Sequence, residues 1–224
     1  LRAICSLGVS PFLNQMAMFL VQITLNNTLT YYGALSHYGE DIPLACVGVI
    51  SKVNILMLGF TLGISQGCQP IFSYNYGARQ YSRVREAYRK AIVAASVICC
   101  IAFVCFQLFP RPIVALFDPS GSEEYFQFAE RYFRIYMFMT LANAFQPITA
   151  NFFTSIGKAK RGALIALTRQ VIFLIPLILI FPLFLGIDGV MYAGPIADSA
   201  AVVVALALVT REMKRMPHVD EPVA

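Results

Sequence analysis

Tryptophan is absent from the 224 residues, histidine occurs twice, and charged residues make up only 13% of the chain. Each scarcity removes a class of protein. With so few charges against 58% hydrophobic residues, there is too little polar surface to cover a water-soluble globule. His37 and His218 are far apart, one in a loop between apolar blocks and one in the tail, so neither a metal cluster nor a Ser-His arrangement is legible. The six cysteines, Cys5, Cys46, Cys68, Cys99, Cys100 and Cys105, contain no C-x-x-C pair and sit in or beside apolar runs, where they read as small packing residues. No glycine-rich phosphate loop follows a strand, because no strand pattern is present.

What the sequence does contain is long apolar runs. A helix crossing a hydrocarbon core of roughly 30 Å needs about 20 residues, and six blocks meet or exceed that length, near residues 7–32, 43–72, 87–109, 125–154, 162–185 and 188–210. The expected fold class is therefore an all-α integral membrane protein, a bundle of six transmembrane helices. Short polar stretches separate the blocks: "SHYGEDIP", "ARQYSRVREAYRK", "PRPIVALFDPSGSEE", "GKAKRG" and "LGIDG", whose Gly, Pro, Asp and Ser mark loops or helix ends.

Basic residues alternate between these loops. Arg79, Arg83, Arg85, Arg89 and Lys90 fill the second, Lys158, Lys160 and Arg161 the fourth, and Arg211, Lys214 and Arg215 follow the last block. The other loops carry Glu40, Asp41, Asp118, Glu123, Glu124 and Asp188, with Arg111 the exception. Basic loops stay cytoplasmic, so both ends of the segment are expected on that side of a cell membrane. The net charge of +5 then reads as anchoring to anionic membrane lipid and not as nucleic-acid binding. Residues 79–90 also have the spacing of an amphipathic surface helix.

Polar residues inside the blocks form two stripes. Gln15, Gln22 and Asn26 follow one another at offsets of 7 and 4 in the first block, with Met18 and Phe19 beside them. In the fourth block Tyr136, Thr140, Asn143 and Pro147 recur at steps of 4, 3 and 4. Such groups either bond neighbouring helices or line a solvated cavity. Pro70 cannot donate to the Gln66 carbonyl, nor Pro147 to that of Asn143, so Gln66, Gln69, Pro70 and Pro147 mark expected kinks and polar junctions. Pro176, Pro182 and Pro195 repeat the theme.

Three ionisable residues fall inside the blocks: Lys52, Arg169 and Asp198. By helical rise, Lys52 and Asp198 lie at a similar depth, roughly 14 Å below the outer edge, and Arg169 about 12 Å above the cytoplasmic one. Asp198 thus has two candidate partners, Lys52 first and Arg169 second. The arrangement is either a structural ion pair or a charge relay.

The segment "GISQGCQPIFSYNYGARQYSRVREAYRKA", with its Q-P-I, N-Y-G-A and basic continuation, resembles the eighth-helix end of multidrug and toxic compound extrusion (MATE) transporters. "QPITANFFTSIGKAKRGALIALTRQVIFLIPLILIFPLFLGIDGVMYAGPIADSAA" resembles that family's tenth to twelfth helices, and the likeness runs in order over nearly the whole chain. The resemblance implies twelve helices in two six-helix lobes. Residues 1–216 would be the C-terminal lobe, residues 217–224 a cytoplasmic tail, and the N-terminal lobe a missing partner; Leu1 is not an initiator Met.

By resemblance, the function is export of small organic, often cationic, compounds in exchange for H⁺ or Na⁺, without an enzyme activity, metal or cofactor other than that coupling ion. Rocking of the lobes about a shared cavity would give alternating access. Gln15, Gln22, Asn26, Tyr136, Thr140, Asn143 and Gln146 would be wall residues, and Met18 and Met137 would supply adaptable apolar surface. The sodium-coupled pattern of a Glu in the seventh helix and an Asp in the tenth is not met. The first block has no acid, and Asn143 stands at the Asp position. The chain is nearer the DinF-like branch, whose coupling Asp belongs to the other lobe. Two alternatives remain open: a lipid-linked oligosaccharide flippase, whose cavity needs Arg or Lys to hold pyrophosphate, and a non-transporting membrane scaffold.

Overall fold

The apolar runs fold into helices whose ends are set by short polar signals. A computed structural model describes residues 2–119 and 121–217, without the side chains of residues 2–11 and 13. His218 and the Cys5 side chain thus lie outside the described residues. Helix α1 spans Arg2–Ala34, α2 Asp41–Gly77, α3 Tyr81–Leu108, α4 Pro110–Phe117 and α5 Glu123–Tyr136. After them come α6 (Ala142–Ser155), α7 (Ala159–Leu167), α8 (Ile175–Leu185) and α9 (Ile187–Arg215).

Capping accounts for several of these boundaries. Ser122 caps α5 by accepting the Tyr125 N–H at 3.2 Å, with Glu123 and Glu124 in the first turn, where the helix dipole favours acids. Lys214 and Arg215 occupy the last turn of α9, where the dipole favours cations. Gly186 turns the chain between α8 and α9 at φ 59°, a backbone conformation that side chains resist.

Two expected helices are interrupted, and a predicted loop is helical. The 125–154 block divides at a 3₁₀ turn, Met137–Leu141, where Met139 leaves helical geometry at φ −92° and ψ 21°. The Thr140 hydroxyl donates to the Met137 carbonyl at 2.6 Å, a local bond that competes with the regular helical ladder. The 162–185 block contains a π-helical stretch, Thr168–Leu174, in which the Ile175 N–H donates to the Gln170 carbonyl five residues back. Pro176 follows at once; it has no N–H for the Ile172 carbonyl and its ring crowds that turn, so a wider turn relieves the conflict. Pro70 and Pro147, in contrast, lie within continuous helices α2 and α6. In the "PRPIVALFDPSGSEE" stretch, α4 opens with Pro110 in the position where a missing N–H costs nothing. Most of the basic 79–90 stretch is the first turns of α3.

Among the described residues, four rods are long and apolar enough to cross a membrane by length and composition: α2, α3, the α7–π–α8 rod Ala159–Leu185, and α9. The α5–α6 rod is broken by the 3₁₀ turn, and α5 carries Glu123, Glu124, Glu130, Arg131 and Arg134. Large apolar side chains such as Ile101, Leu183 and Phe184 face outward at 62%, 69% and 82% exposure, a surface that only lipid or another apolar partner can cover.

The interior is organised at two ends. One cluster joins Leu29 of α1, Ile50 of α2, Phe128 and Phe133 of α5 and Met191 of α9. The other joins Phe72 of α2, Cys99 of α3, Phe152 and Phe153 of α6 and Ala205 of α9. A third, smaller cluster holds Val21 of α1 and Ile178 of α8 against Ala193 and Ala197 of α9.

Candidate functional site: a polar pocket beside an intramembrane ion pair

The π stretch carries Arg169 and Gln170 toward the middle of the bundle. Arg169 Nε donates to Asp198 Oδ1 of α9, and both side chains are nearly buried, at 13% and 11% exposure. Asp198 therefore takes Arg169, the second of its two candidate partners. Lys52 is exposed on α2 and makes no ion pair among the described residues. The geometry favours this outcome, because the widened turn of the π stretch sits directly against α9.

A pocket of about 130 Å³ opens in front of Arg169. Its wall takes Met18 and Gln22 from α1, Ser51 and Asn54 from α2, and Tyr132 and Tyr136 from α5. Gln170, Leu174, Ile178 and Gly194 complete the back. Gly194 is required there: a Cβ would come within 2.6 Å of the Tyr136 ring. Among the residues lining the pocket there is no Asp or Glu, and Arg169 is the one charged group.

Met18, Gln22, Tyr136 and Arg169, all expected from the sequence, meet at this wall. The others divide. Gln15 and Asn26 are exposed on α1 outside the pocket lining, and Gln22 Nε2 donates to Asn26 Oδ1 at 3.0 Å. Met137 and Thr140 are buried at 2% in the 3₁₀ turn and are not among the lining residues. Asn143 Nδ2 donates to Asn54 Oδ1 at 3.2 Å, so it stands behind the pocket and orients a wall residue. Gln146 Nε2 donates to the Ile165 carbonyl at 3.4 Å, tying α6 to α7.

The expected polar junctions play mainly structural parts. The Pro147 carbonyl accepts from Ser65 Oγ at 3.3 Å, and Asn151 Nδ2 donates to the same Ser65 Oγ at 2.7 Å, a chain that fastens α6 to α2. Gln66 and Pro70 are exposed on α2, with Gln69 half-buried beside them.

Sequence reasoning missed Ser51, Asn54, Tyr132 and Gln170. The i, i+3 spacing of Ser51 and Asn54 was the available signal for the first two. It also missed Glu212, which is 1% exposed and held by both Lys158 Nζ and Arg161 Nη1. Nearby, Arg85 donates to the Met216 and Pro217 carbonyls at 3.4 and 3.0 Å. Together these contacts fasten the end of α9 to α3 and to the α6–α7 connection. Among the described residues no group of three or more His, Cys, Asp or Glu is placed to hold a metal ion.

The MatE family model matches residues 15–180. The chain belongs to the MatE family. Among curated proteins, it is 23% identical over 211 residues to the multidrug export protein MepA of Staphylococcus aureus (strain bovine RF122 / ET3-1), which covers 93% of this chain and 44% of that protein. MepA of Staphylococcus haemolyticus (strain JCSC1435) matches with the same identity and coverage. The MatE chain thus spans less than half the length of these relatives.

Its fold agrees with solved structures. An outward-facing conformation of a multidrug resistance MATE family transporter of the MOP superfamily superposes with TM-score 0.83 at 20% identity, covering 93% of this chain and 46% of that one. An inward-facing conformation superposes with TM-score 0.84 at 20% identity, covering 93% and 47%. The MatE chain corresponds to about one lobe of that fold.

Proposed function

We propose that the protein works as one lobe of a secondary multidrug efflux antiporter, exporting organic compounds through a path it shares with a second, N-terminal lobe. The observation that carries this reading is a polar pocket that opens in the middle of an otherwise lipid-facing helical bundle, in a chain whose curated relatives are named multidrug export proteins. The near-equal likeness to outward- and inward-facing structures supports a lobe that moves as a unit during alternating access.

The coupling ion in this reading is H⁺ or Na⁺. Asn143 is bonded to Asn54, and a neutral amide pair does not bind and release a proton near pH 7. That supports placing the coupling carboxylate in the N-terminal lobe, as in the DinF-like branch. A flippase cavity rich in Arg or Lys is not favoured, since the pocket wall holds a single basic residue already paired with Asp198.

The test is uptake into inverted membrane vesicles that carry the full-length protein, following a fluorescent organic cation under an imposed pH or Na⁺ gradient. Flux driven by either gradient supports the antiporter and identifies the ion. Well-expressed protein that moves none of a broad panel under either gradient overturns it.

A further inference from the structure

Arg169 is bonded to Asp198 through Nε alone; among the described residues its two terminal nitrogens have no partner, and the residue lines the pocket. Asp198 is not part of the wall. The ion pair is therefore turned so that its cationic end meets whatever occupies the pocket.

The neighbouring groups offer further donors. Asn54 accepts through Oδ1 from Asn143, which leaves its Nδ2 free to donate. Tyr136 lines the same wall, and its hydroxyl makes no hydrogen bond among the described residues. Met18, Leu25, Ile55 and Leu58 add apolar surface to a lining that also includes Gln22, Ser51 and Gln170. At about 130 Å³ the pocket is smaller than the roughly 300 Å³ at which pockets begin to enclose drug-sized ligands. That volume suits a head group, with the rest of a larger molecule at the mouth.

We infer that this pocket is an acceptor-binding subsite that takes the carboxylate of an amphiphilic substrate on the terminal nitrogens of Arg169, with the Tyr136 hydroxyl and Asn54 Nδ2 as additional donors. A guanidinium presents two parallel N–H bonds to a carboxylate, and away from bulk water each is stronger. An ammonium head would meet the donor end of the guanidinium, with no carboxylate in the wall to accept from it. The pair with Asp198 leaves the site close to neutral before binding, so a monoanion suits it better than a phosphate dianion, which needs several cations. The inference rests on the transport reading for calling the ligand a substrate, and extends it by naming the chemical class this lobe receives.

Three probes with one fluorophore separate the possibilities: dansylglycine, its methyl ester and dansylcadaverine, which carry negative, zero and positive charge. Binding to the full-length protein in lipid nanodiscs is read by fluorescence polarisation, and gradient-driven flux is measured in parallel. Dansylglycine is expected to bind tightest. Arg169→Gln with Asp198→Asn, which removes both charges together, weakens it about 10-fold or more, the scale of a lost charge-assisted hydrogen bond, and leaves the ester little changed. Tyr136→Phe weakens it several-fold, and Asp198→Asn alone tightens it by freeing Arg169.

A preference for dansylcadaverine, or unchanged dansylglycine affinity in the double variant, overturns the subsite. If the double variant does not fold, unchanged affinity in both Tyr136→Phe and Asp198→Asn does the same. Acid-selective binding without flux of any probe under either gradient keeps the subsite and discards the transport reading. Flux of the cation without acid-selective binding does the reverse.

Discussion

Gly194 of α9 lies under the ring of Tyr136, so close that a Cβ would stand 2.6 Å from Cε2 and 3.0 Å from Cδ2. The absent side chain leaves room for the tyrosine ring against α9. Gly194→Ala is expected to push the ring into the pocket, because an aromatic side chain yields more readily than two helix backbones. The overpacking costs about 1–3 kcal/mol. Dansylglycine affinity should fall several-fold while the protein remains monodisperse on size-exclusion chromatography. Unchanged affinity would show that the ring does not shape the site.

Gly189 provides a contrast with Gly48. A Cβ on Gly189 would meet the Phe181 carbonyl carbon at 2.5 Å and the Pro182 nitrogen at 2.6 Å, both backbone atoms of α8 that cannot rotate away. Nothing lies within 4 Å of a Cβ on Gly48. Gly189→Ala should lower the melting temperature of detergent-solubilised protein and reduce expression, whereas Gly48→Ala should leave both unchanged or raise them slightly, since alanine is the better helix former by about 1 kcal/mol. Equal effects from the two would contradict this packing.

Glu212 is a buried acid with two cationic partners, Lys158 and Arg161, that are each about a third exposed (35% and 38%). Removing one partner of a fully buried pair costs about 3–5 kcal/mol; solvent around these two cations places Glu212→Ala at the lower end. Lys158→Ala should cost less, because Arg161 continues to hold the carboxylate. Thermal melting of the three proteins, followed by fluorescence-detected size exclusion, gives the order directly. A Lys158→Ala loss as large as that of Glu212→Ala would show that the two cations do not share the load.

Pro176 and the ion pair both favour the π stretch, and their magnitudes differ. Pro176→Ala supplies an N–H for the Ile172 carbonyl, a bond worth about 0.5–1.5 kcal/mol. Taking it up as regular α-helix would remove the extra residue of the bulge and rotate Arg169 by about 100° about the axis, away from Asp198. Breaking that buried pair costs about 3–5 kcal/mol. The pair wins, so Pro176→Ala alone should keep dansylglycine affinity. Combined with Asp198→Asn, which releases the restraint, it should lose acid binding. Loss of binding in Pro176→Ala alone would mean that the proline, and not the ion pair, holds the bulge.

The helical rods were largely legible because hydropathy and loop composition act locally; the 43–72 block, for example, lies inside α2 (Asp41–Gly77). The interruptions were not. Pro70 and Pro147 drew attention, yet the breaks fall at Met137–Leu141 and Thr168–Leu174. One involves a threonine bonding to its own turn and the other a proline just after the irregular stretch, so neither is marked by a breaker in its middle. Met18, Gln22 and Tyr136 were visible among the lining residues, since a polar stripe on an apolar helix stands out. Asn54 and Gln170 became wall residues through tertiary packing, which a single helix does not encode. The partner of Asp198 was ambiguous because depth counting measures position along the membrane normal and not which helix faces which. Glu212 was obscured by basic neighbours that make it look like part of a solvated end.

The fastening of the α9 end has a use in measurement. With Arg85 holding the Met216 and Pro217 carbonyls and Glu212 tied to the α6–α7 connection, Pro217 is an anchored point on the lobe. A spectroscopic label placed at Pro217 would report the displacement of the whole bundle, with little contribution from a wandering tether. Distances from it to the proposed second lobe would then test whether the bundle tilts as the alternating-access reading requires.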